Sequence, residues 1–216
     1  MMSRELLIYG AGGAGRELAF SLSLDKNPDS AWKVKGFIDD TTHLWGKAVN
    51  NLPVLGGIDY LKNYSGNIAV TIVNDPLVRR NLISKVKKNK NIKFPLIISS
   101  LAIVSPSVEW GEGCIVSPLN FIQPNVKFGD FVWINGGNRV GHDAIIARYT
   151  TIFSGILIGG GVSIGIGCLI GSGTTILPEI KVGNGSIIGG GSLVLTDIPP
   201  KVVAAGNPAK IIREIK

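Results

Sequence analysis

An aliphatic or aromatic residue returns at every sixth position from Ile98 to Val194, passing through Trp110, Phe128, Ile146, Ile164 and Val182 without a slip. A period of six is neither the 3.6 of a helix nor the 2 of a strand. It marks a repeated unit of one short strand and one corner, which stacks into a parallel β-helix. Three hexads close one triangular coil, so each coil takes eighteen residues. Seventeen hexads make a little under six coils, a prism about 27 Å tall at about 4.8 Å per rung.

Positions within the hexad agree. Two residues before the recurring one stand small or aliphatic side chains, such as Ala102, Val108, Cys114, Val126, Ala144, Val162, Cys168 and Ser186. Strand alternation turns both positions to the inner face. Three residues after it, glycine recurs at Gly113, Gly137, Gly155, Gly161, Gly167, Gly173, Gly185 and Gly191, as corners of positive φ require. Corners without glycine carry Asn125 or Asp143, the residue types that tolerate that region best. Trp110 and Phe128, one coil apart on one ladder, are expected to fill the wider N-terminal end.

At 216 residues and 45% apolar content the chain can build one or two cores. Its net charge of +7 comes mainly from residues 1–96, where Arg79, Arg80, Lys85, Lys87, Lys88, Lys90 and Lys93 run with no acid between them. That run reads as a solvated helix face. Nucleic-acid binding would require interleaved aromatics or a recognisable module, and neither is present. Cys114 and Cys168 sit three coils apart on one ladder, about 14 Å, too far for a disulfide. Reduced inward thiols fit a cytoplasmic protein, and the start Met-Met-Ser-Arg-Glu lacks the apolar stretch of a signal peptide. Tyr149–Pro178 carries no charge and is long enough to cross a bilayer. Its glycines and its unbroken hexad phase assign it to strands, so no membrane span is expected.

Residues 1–96 read as a separate α/β domain with a small Rossmann-like parallel sheet, and 97–216 as the β-helix with a C-terminal tail. Glu5–Tyr9 is a short strand, Gly10-Ala11-Gly12-Gly13-Ala14-Gly15 a glycine turn, and Arg16 to about Leu24 a helix. Val34–Ile38 is a second strand ending in Asp39-Asp40, Ile68–Val73 a third, Pro76–Lys88 a helix, and Phe94–Ile98 a last strand entering the prism. Gly10, Gly12 and Gly15 keep the G-x-G-x-x-G spacing between strand and helix. Glycines let the backbone approach a phosphate and the helix start supplies free N–H groups, while an acid ending the second strand can bind a ribose or a base. The domain is about half a full dinucleotide-binding fold, which favours one nucleotide over NAD; a glycine turn with no ligand is the alternative.

Taken together, the glycine loop, Phe37-Ile38-Asp39-Asp40, Asn135 seven residues before His142, and Gly206-Asn207-Pro208-Ala209-Lys210 resemble the sialic acid O-acetyltransferase-like family. That family includes bacterial N-acetyltransferases of nucleotide-linked amino sugars, and the resemblance covers almost the whole chain. It implies left-handed prisms of hexapeptide repeats, a homotrimer with active sites between neighbouring prisms, and acetyl-CoA as cosubstrate; the sequence itself shows no metal site.

On the residues alone, His142 falls on a corner, pointing out of the prism, where a lone histidine is either an idle surface residue or the natural base for deprotonating an amine or hydroxyl. The other histidine, His43, sits in an expected loop, Asp40–Lys47, and reads as a surface residue. The resemblance makes His142 the general base, Asp143 the acid that orients it, and the Gly160 N–H, one coil on, the donor to the thioester oxygen. Asp143 equally suits a corner that needs positive φ. The resemblance further implies CoA contacts from Gly160, Ser172, Gly190, Gly206 and Lys210. Sugar-nucleotide contacts fall on Gly12, Gly13, Asp39, Asp40, Asn74, Arg79 and Asn135. Ala14 and Thr151 stand where many or some relatives carry histidine, which leaves the acceptor's identity open.

The resulting expectation is acetyl transfer from acetyl-CoA to the amine of a nucleotide-linked amino sugar, without a covalent enzyme intermediate. The alternatives are O-acetylation of sialic acid or another sugar hydroxyl, a non-catalytic nucleotide-binding trimer, and dinucleotide binding.

Overall fold

The structure is a computed structural model that describes residues 4–25 and 31–215. The chain divides into two compact units, Met1–Pro95 and Leu96–Lys216.

In the first unit, β1 (Arg4–Tyr9), α1 (Gly13–Ser23), β2 (Trp32–Ile38), β3 (Ala48–Val49), β4 (Leu52–Gly56), β5 (Gly66–Val70), α2 (Pro76–Val86) and β6 (Ile92–Lys93) follow one another. They form a six-stranded sheet in the order β3-β4-β2-β1-β5-β6. Neighbours are parallel except the β3–β4 pair. Leu6, Leu7 and Ile8 of β1, Phe37 and Ile38 of β2, and Ile68 of β5 are buried, as expected of strands covered by other elements. α2 starts at Asp75, whose Oδ1 accepts from the Leu77 and Val78 N–H groups at 2.9 Å each, with Pro76 at the first helical position.

Three sequence expectations change here. The β3–β4 hairpin was not foreseen, although its turn residues Asn50 and Asn51, at φ 45° and 63°, are a hairpin signal that Pro53 obscures. Phe94–Ile98 is not one strand: Ile92–Lys93 pairs with β5 and Ile97–Ile98 pairs with Ile115–Val116 of the prism. Pro95, without an N–H to donate, stands between them. The third strand is Gly66–Val70 rather than Ile68–Val73.

The second unit is a three-sided stack of two-residue strands. Ile97, Ile115, Trp133, Thr151, Leu169 and Ile187 pair in succession, always eighteen residues apart. The other two sides repeat this, for instance Phe121 with Arg139 and Ile145 with Ser163. The hexad residues from Val116 to Val194 fill the core, and Ile98, Val104 and Trp110 pack half-buried against its end. Trp110 and Phe128 stack there with ring centroids 4.6 Å apart.

The corners depart from expectation. Besides glycine, Asn125 and Asp143, positive φ is taken by Leu119, Phe131, Tyr149 and Glu179. Left-handed backbone is costly for such residues, yet each corner N–H is bonded to the carbonyl of the coil before, such as Tyr149 to Asp130 at 2.9 Å. The stacked Phe131 and Tyr149 rings, 5.7 Å apart, add contact on one such ladder. Coil closure therefore overrides local preference at four corners.

Cys114 and Cys168 are free and buried. Each Sγ donates to a carbonyl of the next coil, Gly129 and Gly183, at 3.1 Å, and burial pushes both thiols up to about 11. The chain ends in an antiparallel hairpin, Val202–Gly206 with Ala209–Glu214. Among the described residues no helix is long and apolar enough to cross a membrane.

Candidate active site

The corner at His142 repeats up the prism as Pro124, His142, Gly160 and Pro178. Its backbone is held on both sides: Asp143 N–H donates to Pro124 O at 3.0 Å and Gly161 N–H to His142 O at 2.9 Å. The ring projects into solvent, with 63% of its side chain exposed. His142 Nδ1 lies 2.7 Å from Asp143 Oδ2. A carboxylate only accepts, so Nδ1 is the donor in this bond, and in the neutral ring that leaves the lone pair on Nε2. Hydrogen bonds from His142 and Asn125, with the charge of His142, hold the Asp143 carboxyl below the usual carboxylate range against a smaller opposing effect of desolvation. The adjacent side chains meet because the corner, with Asp143 at φ 59°, abandons strand alternation.

Gly160 lies directly against this ring. A Cβ built on it would stand 2.7 Å from His142 Cε1 and 2.8 Å from Nε2. The three nearest atoms to that position all belong to the His142 ring, so a methyl there would be met by a side chain that can move and not by backbone. Among the described residues nothing accepts the Gly160 N–H, while its carbonyl accepts from Glu179. A lone-pair nitrogen and a spare N–H thus share one exposed corner.

Two supporting residues were missed. Gln123 Oε1 accepts from the His142 N–H at 3.0 Å, and Asn125 Nδ2 donates to Asp143 Oδ1 at 3.0 Å. Asn125 stands eighteen residues before Asp143, so the coil length alone points to it.

The other prism residues lie elsewhere. Ser172 and Gly190 stack on a different corner, where Gly191 N–H donates to Ser172 O at 2.8 Å; one chain does not bring them to the His142 ladder. Gly206 and Lys210 flank the turn of the terminal hairpin, and both are exposed. Asn135 is half-buried and its side chain accepts from the Trp133 indole N–H. Thr151 is buried in the prism wall.

In the first unit the glycine loop follows β1, the strand from which the sheet order runs one way to β2 and the other way to β5. Such a switch point, at the carboxyl ends of parallel strands, is where open sheets of this kind bind ligands. The loop glycines differ in purpose. A Cβ on Gly15 would fall 1.8 Å from Gly10 O, and one on Gly10, at φ +109°, would meet Thr71 Oγ1 at 2.6 Å, whereas Gly12 and Gly13 have nothing within 4 Å. Packing thus explains Gly10 and Gly15. It does not explain Gly12 and Gly13, whose bare backbone opens the start of α1.

Asp39 and Asp40 brace this end of the sheet. Asp39 accepts from Ala11 N–H at 2.8 Å and Thr41 N–H at 2.9 Å. Burial raises the Asp39 carboxyl, but these bonds and one from the Thr41 side chain outweigh it, so the net shift is downward. Asp40 accepts from Tyr9 Oη at 2.7 Å and Ile58 N–H at 2.8 Å. Burial first, then that bond, drives the Tyr9 hydroxyl far above its ordinary range. Asn74 is exposed ahead of α2. Arg79, placed by the sequence on a solvated basic face, is instead buried, at 1% exposure; only its neighbours Arg80, Lys85, Lys88, Lys90 and Lys93 are exposed. His43 is exposed in a short 3₁₀ helix, Thr42–Leu44, where a loop was expected.

No protein-family model matches the chain, and no curated protein does. Solved structures do. The acetyltransferase domain of PglB from Neisseria gonorrhoeae is 31% identical over 97% of this chain and 100% of its own, with a TM-score of 0.85. The chain belongs to the hexapeptide-repeat acyltransferases. Similar too is perosamine N-acetyltransferase from Caulobacter crescentus, a histidine-to-asparagine variant in complex with CoA and GDP-perosamine. It is 29% identical over 97% of each chain, with a TM-score of 0.87. WeeI from Acinetobacter baumannii is 29% identical over 96% of this chain and 99% of its own, at 0.84. Among the described residues of this acyltransferase no three metal-ligating side chains cluster.

Proposed function

We propose that this acyltransferase moves an acetyl group from acetyl-CoA to the amine of a nucleotide-linked amino sugar. The observation that carries the proposal is the His142 corner: an imidazole capped at Nδ1 by Asp143, lying over a glycine whose N–H is unspent. The acetyltransferase neighbours, one holding CoA and GDP-perosamine, support the same substrates.

His142 Nε2 takes the proton as the amine nitrogen attacks the thioester carbonyl. Charge gathers on the carbonyl oxygen, and the Gly160 N–H donates to it there. The C–S bond breaks as the amide forms, and the thiolate of CoA leaves with the proton returned by the imidazolium. Asp143 keeps the ring in the tautomer that presents Nε2, and its charge favours the imidazolium in between. Both thiols face inward and are pushed up to about 11, so neither serves as a nucleophile.

The first unit, in this reading, is the Rossmann-like nucleotide domain. Its switch-point glycines support that, with Gly12, Gly13 and the N-terminus of α1 at the phosphates. Asp39, Asp40 and Asn74 are the nucleotide contacts proposed for the first unit, and Asn135 is proposed separately as a sugar contact of the prism. Both carboxylates keep further lone pairs for a ribose or base. Arg79, buried at 1% exposure, belongs to the same proposed set, as the guanidinium for a phosphate.

The prism is left-handed and the chain trimeric. Ser172 and Gly190 occupy a different corner from His142, so one CoA meets both sets only where two copies adjoin, together with Gly206 and Lys210. Ile103 at 67%, Phe121 at 38% and Leu157 at 47% exposure on one outer side, with the exposed Arg139 between the last two, supply a partly apolar face for such packing.

A panel of nucleotide-linked amino sugars and free sialic acid, followed by thiol release, tests the proposal. Acetyl amide formation on a nucleotide sugar is expected. Turnover of sialic acid alone would favour O-acetylation, and no thiol release with any acceptor would favour a non-catalytic trimer.

A further inference from the structure

Asp143 is an awkward group on which to rest a tautomer. Its side chain is 56% exposed, and a short carboxylate in solvent turns among several rotamers, only some of which aim an oxygen at the neighbouring ring. Burial does not hold it. A side chain from the coil before does: Asn125 Nδ2 donates to Asp143 Oδ1 at 3.0 Å and leaves Oδ2 for His142 Nδ1 at 2.7 Å. Asn125 is itself fixed. Its N–H donates to Ser107 Oγ at 3.0 Å, so Ser107, Asn125 and Asp143 form a ladder over three successive coils.

The residue type fits two demands at once. At φ 62° the position favours glycine, asparagine or aspartate, although Leu119, Phe131, Tyr149 and Glu179 take positive φ at other corners. Facing a carboxylate, it calls for a donor. Glycine has no side chain and aspartate would repel, so asparagine alone among the three meets both. The bond is solvent-exposed and contributes little to stability; what it changes is which oxygen Asp143 presents.

We propose that Asn125 is a positioning residue that acts through Asp143 to hold the His142 ring with its proton on Nδ1 and Nε2 free. The inference rests on the reading of His142 as the general base, and the two are separable by experiment.

Asn125→Gly is the informative variant, because glycine keeps the positive φ and removes only the amide. The chain has two histidines, so a His43→Gln background leaves one imidazole for ¹⁵N NMR. The neutral His142 ring is expected to carry its proton on Nδ1, and N125G to show a mixture of tautomers. An unchanged ring in N125G overturns the proposal.

In acetyl transfer, N125G is expected to lower kcat about tenfold, a fraction of what a general base supplies, and to move either KM by less than about twofold. In an Asp143→Ala background the same change is expected to cost nothing further. Wild-type kcat in N125G, or an equal loss with and without Asp143, overturns the proposal. A tautomer shift in a protein that transfers no acetyl group upholds the positioning and overturns the reading of His142 as base.

Discussion

Replacing Gly160 by alanine separates the chemistry of this corner from its stability. The new methyl would stand 2.7 Å from His142 Cε1, 2.8 Å from Nε2 and 3.2 Å from Nδ1. Carbon contacts settle at about 3.5–4.0 Å, so the ring must retreat by roughly 0.7–1.3 Å. A shift of that size stretches the 2.7 Å bond to Asp143 to the edge of hydrogen-bond range or past it. Displacing a reacting group by 1 Å costs about a hundredfold in rate, or about 2.7 kcal/mol of barrier. Folding responds differently. Gly160 is not among the positive-φ glycines, so alanine fits the backbone, and stiffening the unfolded chain stabilises by about 0.4–1 kcal/mol. G160A is therefore expected to keep or raise its melting temperature while kcat for thiol release falls about a hundredfold. Wild-type turnover in G160A would mean that the ring does not work from the seat observed, and a large drop in melting temperature would make the glycine a folding requirement.

The glycine loop gives a similar contrast. Gly15→Ala places a methyl 1.8 Å from a backbone oxygen and should destabilise by about 3 kcal/mol or more in calorimetry. Gly13→Ala meets nothing, so it should fold as well as the parent yet bind a nucleoside diphosphate about tenfold more weakly by titration; equal affinity would remove the loop from the ligand site. Asp39 has a folded pKa below its unfolded one, so its stabilisation is present above about pH 4 and fades as pH falls through the folded value. The gap in melting temperature between wild type and Asp39→Asn should accordingly narrow from pH 7 to pH 3, and a constant gap would assign the effect to packing. Cys114 and Cys168 should resist iodoacetamide at pH 8 until denaturant is added, as read by mass spectrometry. Prompt labelling of the native protein would contradict their burial.

How much of this was legible beforehand depended on period and register. The hexad named the prism and its coil length, because an inward side chain every sixth residue has few other physical causes. The same register placed Gly160 beside His142. Side-chain direction was harder to read: that the ring lies over Gly160, and that Asn125 reaches Asp143, follow from rotamers a spacing does not contain. Ser172 and Gly190 were aligned with the catalytic groove by resemblance, whereas counting hexads puts them on another corner. Leu119, Phe131, Tyr149 and Glu179 escaped the corner rule because coil hydrogen bonds outweigh local backbone preference. Arg79 was misplaced because a run of basic residues says nothing of which side chain turns inward.

The most direct test of the account is single-turnover acetyl transfer by His142→Ala alongside wild type, with acetyl-CoA and an amino-sugar nucleotide that wild type turns over. CoA affinity is measured on both proteins. The account predicts unchanged CoA binding and a rate lower by about a hundredfold or more. Transfer at the wild-type rate without the imidazole would contradict it.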